Sequence, residues 1–174
     1  MSIHINHQNN KFGRKFPKSR KSVVRVGIDL ARIERFTFVQ RRHSNAFYRR
    51  AYTSAEQLLF GKNPVLLALC FTAKEAVSKV LGTGLSLGKS ENVDCLDIEI
   101  RLASASSTPE VFLRGMARAR AKQLGLTEIM LFWYYNDRLA CSIAGGVSSS
   151  LDVVELESGL RKSLSEIAVG LGKK

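Results

Sequence analysis

Asp29 closes a short β-branched run, Val23-Val24-Arg25-Val26-Gly27-Ile28, and so offers a carboxylate at a strand end. The next residues, Leu30-Ala31-Arg32-Ile33-Glu34-Arg35-Phe36, read as a helix, which makes Asp29 a candidate helix N-cap. Glu75 and Lys79 stand four residues apart, one helical turn along one face, where an intrahelical pair is worth about 0.3–0.5 kcal/mol. Gly82-Thr83-Gly84 follows them as a helix stop, and glycine there also lets backbone approach a ligand closely. Arg32, Arg35 and Arg42 have the spacing i, i+3, i+10 and can share one helical face, with Arg41, Arg49 and Arg50 nearby. Taken singly, a cap, a surface glutamate and a solvated basic face account for all of these.

Their positions within two longer segments are more specific. V-G-I-D-L-A-R-I-E-R-F spans residues 26–36, and F-T-A-K-E-A-V-S-K-V-L-G-T-G spans residues 71–84. The pair, in this order and at this separation, resembles the two signature motifs of phosphopantetheinyl transferases. The G-T-G ending is similar to the small holo-acyl-carrier-protein synthase branch, as is the Y-T-S-A-E stretch at Tyr52–Glu56. The resemblance runs over roughly residues 23–144.

That resemblance implies transfer of 4′-phosphopantetheine from coenzyme A to a serine of an acyl-carrier protein, with loss of 3′,5′-adenosine bisphosphate. It implies Asp29 and Glu75 as ligands of a divalent cation, Mg²⁺, which takes one or two carboxylates and fills its shell with water and phosphate oxygens. It makes Asp29, Glu75 and Lys79 the catalytic set, Lys79 facing the coenzyme A phosphates. Gly82, Gly84 and Tyr135 join Lys79 on the coenzyme A side. Arg32, Arg35 and Arg42 are expected to dock the acidic carrier, chiefly by speeding encounter and selecting the partner. Lys74 is expected to point elsewhere. Small members of this branch form trimers with active sites between subunits, so a homotrimer is expected.

Three departures bear on the coenzyme A grip. Cys70 stands where the family has an arginine thought to hold the nucleotide phosphate. Trp133-Tyr134-Tyr135-Asn136 replaces an S-H-T-like segment, with Tyr135 nearest the histidine position. Ser106-Ser107-Thr108-Pro109 replaces a G-K-P-like turn. A tyrosine with an ordinary pKa of about 10 is a poor base at neutral pH. Without the histidine, a water-mediated route to a carboxylate is expected for the proton. A non-catalytic relative that binds carrier protein or coenzyme A is the alternative these departures favour.

The elements that must position these residues form an α+β pattern with a mostly antiparallel sheet. A helix is expected over residues 65–81, with Pro64 in its first turn, carrying the K-E-x-x-x-K segment. Leu96–Leu102 alternates like a half-buried strand, Glu110–Leu113 reads as another, and Gly115–Leu124 as a helix closed by Gly125. Ile129–Tyr135 and Leu139–Val147 read as a hairpin turning at Asn136-Asp137. Gly145-Gly146-Val147-Ser148-Ser149-Ser150 looks like a linker, followed by a helix over Leu151–Val169. The expected organisation is a basic extension at 1–22, a transferase domain at 23–147, and a linker with helix at 148–174.

The 174 residues carry 27 Lys and Arg against 15 Asp and Glu, a formal charge of +12. Seven of those bases lie in residues 1–25, which hold no acid. The excess therefore marks a leader, read as a solvated extension with organelle targeting as the lesser reading. A pI near 10 raises nucleic-acid binding, but the charge sits in the leader and no nucleic-acid motif is present, so no such partner is expected. No run approaches the roughly 20 apolar residues of a membrane span, and no apolar signal-peptide core is present. The three separated cysteines and the missing signal point to a reducing, cytoplasmic setting.

Overall fold

The computed structural model describes residues 23–37, 44–88, 92–102, 108–148 and 152–172. Its elements are β1 (Val24–Arg32), α1 (Ser44–Ala51), α2 (Ser54–Phe60), α3 (Pro64–Leu81), β2 (Leu85–Ser86), β3 (Val93–Asp94), a 3₁₀ turn (Cys95–Asp97), β4 (Ile98–Arg101), β5 (Glu110–Leu113), α4 (Gly115–Leu124), β6 (Glu128–Tyr135), β7 (Leu139–Val147) and α5 (Val153–Gly172). The main sheet has the order β1-β7-β6 and is antiparallel throughout. β4 and β5 pair antiparallel, while β2 and β3 form a short parallel ladder. The class is α+β, as expected.

α3 begins where Asn63 accepts hydrogen bonds from the Val65 and Leu66 amides, with Pro64 inside the first turn. It stops at Gly82, whose φ of 68° is the left-handed conformation of a helix end. It packs across the inner face of the main sheet and carries the centre of the core, with Leu67, Leu69, Ala73, Ala76, Val77 and Val80 buried. Gly27 makes the close crossing possible. A Cβ there would strike the Ala76 carbonyl and stand 2.8 Å from Cβ of Lys79, so the strand lies directly under the helix.

α5 covers the outer face of β6 and β7, where Leu156 and Leu160 bury against Phe132, Ile143 and Val147. On β1 the outer residues Val24, Val26, Ile28 and Leu30 remain exposed. The chain thus presents an apolar stripe beside its last helix.

Three local expectations are corrected. Leu30–Phe36 does not continue as a helix from an N-cap at Asp29. β1 runs on to Arg32 because β7 pairs with every residue from Val24 to Arg32, and only residues 34–37 turn helically. Gly145-Gly146-Val147 is not linker but the buried end of β7, while residues 149–151 lie outside the described set. Glycine is needed there because a Cβ on Gly145 would meet Leu156 and Leu160 at 2.7 Å, and one on Gly146 would meet Val80 at 2.7 Å from the other side. Finally, Cys95–Asp97 is a 3₁₀ turn, so the strand expected at Leu96 starts at Ile98.

Candidate active site

Strand alternation places Arg25, Gly27, Asp29 and Ala31 on the inner face of β1, against α3. Asp29 lies in mid-strand, paired with Ser142 of β7. Because Gly27 admits the helix, Lys79 reaches across to it. Its Nζ donates to Asp29 Oδ1 at 2.8 Å and to the Ile28 carbonyl at 2.7 Å. Lys79 therefore pairs with a carboxylate on β1, between elements, and not with Glu75 one turn back on its own helix. The pair is partly exposed, with side-chain accessibilities of 45% and 23%.

Glu75, one turn earlier on α3, is half-buried. Partial burial first, and the neighbouring Asp29 charge second, push its carboxyl above the ordinary carboxylate value, while Lys79 pulls it back down. A carboxylate whose ionisation is opposed by burial and by a neighbouring carboxylate is one that a divalent cation relieves. Among the described residues no group of three or more His, Cys, Asp and Glu gathers for a metal. Two carboxylates open to water and phosphate are a sufficient set for Mg²⁺, whereas a closed zinc site needs four ligands. Asp29 and Glu75 thus fit the ion implied for this position.

Lys74 faces the opposite way and is fully buried. Its Nζ donates to the Ala51 carbonyl, the Cys95 carbonyl and Glu56 Oε2, at 2.7–2.8 Å each. Glu56 accepts in turn from the amides of Thr53 and Ile100, closing a capping box at the start of α2. The Y-T-S-A-E stretch is therefore the inner brace of α3. Cys70 belongs to the same cluster, its Sγ donating to Glu56 Oε1 at 3.4 Å. Burial holds that thiol well above its ordinary pKa. The Cys70 position points into the core of this chain, away from the Asp29 side.

The remaining expected residues are spread out. Gly82 caps α3, and Gly84 packs on the Asn92 side chain. Tyr135 is exposed at the end of β6, in register with Ala140. It is two strands from β1, roughly 10 Å at the usual strand spacing. Trp133, not Tyr135, shares the cross-strand row of Ser142 and Asp29. Arg32 ends β1 and Arg35 sits in the following helical turn, both exposed. The single helical face expected for Arg32, Arg35 and Arg42 is therefore corrected for the first two, because Arg32 is a strand residue held by pairing to Leu139. Arg42 lies outside the described residues.

Two features went unread in the sequence. Glu56 as the partner of Lys74 had a local signal, the Thr53–Glu56 capping-box spacing. Arg25 had one too, since it shares the parity of Asp29 along β1.

The model of the 4′-phosphopantetheinyl transferase superfamily matches residues 25–144. The holo-[acyl-carrier-protein] synthase of Roseiflexus castenholzii is 39% identical over 110 residues, covering 63% of this chain and 80% of that protein. The holo-[acyl-carrier-protein] synthase of Caldanaerobacter subterraneus subsp. tengcongensis is 38% identical over 130 residues, covering 71% and 97%. Among solved structures, holo-[acyl-carrier-protein] synthase from Neisseria meningitidis superposes with a TM-score of 0.60 at 26% identity, over 70% of this chain and 96% of that one. Acyl carrier protein synthase from Plasmodium yoelii with ADP bound shares the fold, with a TM-score of 0.63 at 22% identity over 75% and 100%.

Proposed function

The chain belongs to the 4′-phosphopantetheinyl transferase superfamily, and from that premise we propose that it converts apo-acyl-carrier protein to its holo form. The donor is coenzyme A and the products are holo-carrier protein and 3′,5′-adenosine bisphosphate. The observation that carries this reading is the meeting of Asp29, Glu75 and Lys79 where β1 passes under α3.

In this proposal Asp29 and Glu75 hold Mg²⁺. Bound there, the ion offsets the negative charge of the pyrophosphate and of the leaving phosphate. The carrier serine Oγ attacks the pantetheine-side phosphorus, and the bond from that phosphorus to the bridging oxygen breaks. The hydroxyl proton passes through a water to a carboxylate of this pair. Lys79 stands close enough to exchange its bond to Asp29 for a phosphate oxygen, since a half-exposed ion pair is worth only about 0–1 kcal/mol. Gly82 and Gly84 admit the coenzyme A chain beside the helix end, and Tyr135 borders the same ligand. Arg32, Arg35 and Arg42 receive the acidic carrier.

The transferase unit is assigned to residues 23–147, with 1–22 and 148–174 as extensions. We assign it to the cytoplasm, where it serves fatty acid synthesis; among the described residues no helix is long and apolar enough to cross a membrane. The exposed stripe Val24, Val26, Ile28 and Leu30 supports assembly into a homotrimer, because burying it removes apolar surface from water.

The test is to incubate the full chain with coenzyme A, Mg²⁺ and an apo-carrier protein, and to follow the carrier's mass. A gain of one phosphopantetheine that disappears with chelator is expected. Carrier or coenzyme A binding without that gain would select the second reading, a non-catalytic relative, which Cys70 and Tyr135 favour. Sedimentation of the same sample checks the trimer.

A further inference from the structure

The outer face of the sheet holds a groove that the transfer chemistry does not use. Val24 and Val26 of β1, Ile143 of β7, and Leu156 and Leu160 of α5 line about 450 Å³ of space between strand and helix. Val24 and Val26 are half-exposed there, so apolar surface is left in water.

The helical wall of the groove is acidic. Asp152 and Glu155 stand on it, and among the described residues no Lys or Arg lines it. Asp152 Oδ2 is buried and has no hydrogen-bond partner among the described residues. A buried carboxylate oxygen in that state is costly until a donor reaches it. The same wall is open in the middle. Gly159 follows Glu155 one helical turn on, and a Cβ there would meet nothing within 4 Å. Glycine weakens a helix interior, and no neighbour in α5 or the sheet requires it here. Ser163, a further turn along, is small as well.

A segment of matching chemistry begins where the groove does. Residues 1–22 carry Lys11, Arg14, Lys15, Lys18, Arg20 and Lys21 and no acid, with Phe12 and Phe16 among them. They join the described chain at Val23, next to Val24 in the groove. Phe16 precedes Val24 by eight residues, roughly 26 Å of extended chain. The wall from Asp152 to Ser163 is only roughly 16 Å long at the helical rise. The leader is therefore long enough to reverse and return along it. Its tether also holds it at roughly millimolar local concentration, ahead of any second chain.

We propose that the basic leader, residues 1–22, folds back into the groove between β1 and α5. A phenylalanine seats on Val24, Val26 and Leu160, and the cationic side chains meet Asp152 and Glu155. The Ile28 and Leu30 end of the stripe is left for the subunit contact. Neither the leader nor α5 falls within residues 25–144, so this contact does not rest on the transferase reading.

The test is zero-length carbodiimide cross-linking of the full chain, prepared as an equal mixture of unlabelled and heavy-isotope protein and read by mass spectrometry. Links from leader lysines to Asp152 or Glu155, within one isotope only, are expected. Links that mix isotopes put another copy's leader in the groove and overturn the proposal, as does the absence of links to these acids. Glu157 lines the opposite side of α5, toward β6. Links to it as frequent as those to Glu155 would mean charge attraction without a seat, which overturns the proposal too.

Trypsin gives a second reading, since the leader is rich in its cleavage sites. Gly159→Leu fills the groove without changing charge. It should speed cleavage of the leader by about tenfold or more in a chain still folded by circular dichroism, because cleavage follows the unseated fraction. Asp152→Asn combined with Glu155→Gln should speed it by a smaller factor. Leader cleavage at the wild-type rate in both variants overturns the proposal. Should Gly159→Leu not fold, an unchanged rate in the charge variant overturns it alone.

Discussion

Lys74 and Lys79 leave the same helix five residues apart and meet opposite surroundings. Lys74 is fully buried, and all three of its ammonium protons are taken by two carbonyls and Glu56. Lys79 is nearly half exposed and shares its charge with one oxygen of Asp29 and one carbonyl. The inner pair has no freedom to change partners, because moving either charge would leave the other unpaired in the core. The outer pair can be broken by water or by a phosphate at little cost. Two lysines of one motif thus divide the work. One holds the helix; the other is available to a ligand.

The comparison can be broken most severely at Glu75, which sits between them. Glu75→Gln is expected to lower transfer by about 10²–10³-fold or more, read as lost mass gain on the carrier. Without divalent cation its melting temperature should equal or exceed the wild-type value, since the change removes a carboxylate held at a cost beside Asp29. Retained turnover would contradict the assignment of the site.

Next in size is the inner pair. Lys74→Met should cost about 3–5 kcal/mol in chemical denaturation, because Glu56 is left charged and buried. Adding Glu56→Gln should recover part of that loss. A cost below about 1 kcal/mol would mean that the inner lysine braces nothing. The outer lysine should behave in the reverse way. Lys79→Met is expected to change stability by less than about 1 kcal/mol while transfer falls by about 10²-fold. Equal stability losses at the two positions would remove the distinction.

Smaller still is a pH effect. The Glu75 carboxyl is raised in the folded chain, so the native state keeps a proton that the unfolded chain has released. Stability from this group therefore falls as pH rises from the ordinary carboxylate value through the raised one, and recovers on acidification. Denaturation without divalent cation at several pH values should show that slope in wild type and not in Glu75→Gln. Least of all, Tyr135→Phe should leave stability within about 0.5 kcal/mol and transfer nearly unchanged, since an exposed phenol is a weak base.

Much of this molecule is encoded at short range. Pro64 after Asn63 and Gly82 after Leu81 set the bounds of α3, because a cap depends only on the residues beside it. The hairpin turn and α4 with its closing Gly125 followed for the same reason. The end of β1 did not. Leu30–Phe36 has a plausible helical pattern, and only pairing with the distant β7 holds it extended as far as Arg32. Gly145 and Gly146 read as linker residues because nothing nearby in sequence shows that leucines of α5 and Val80 of α3 press on them from both faces.

The sequence by itself determined the two motifs, their order, and the elements that carry Asp29, Glu75 and Lys79. Tertiary structure decided which group meets which: Lys79 with Asp29, Lys74 with Glu56, Cys70 with the core, and Arg25 and Arg120 with the carbonyls that end α3. Local propensity and capping act within a few residues, whereas an ion pair depends on how closely two elements approach. Here that approach is set by Gly27, where the missing Cβ lets the helix rest on the strand.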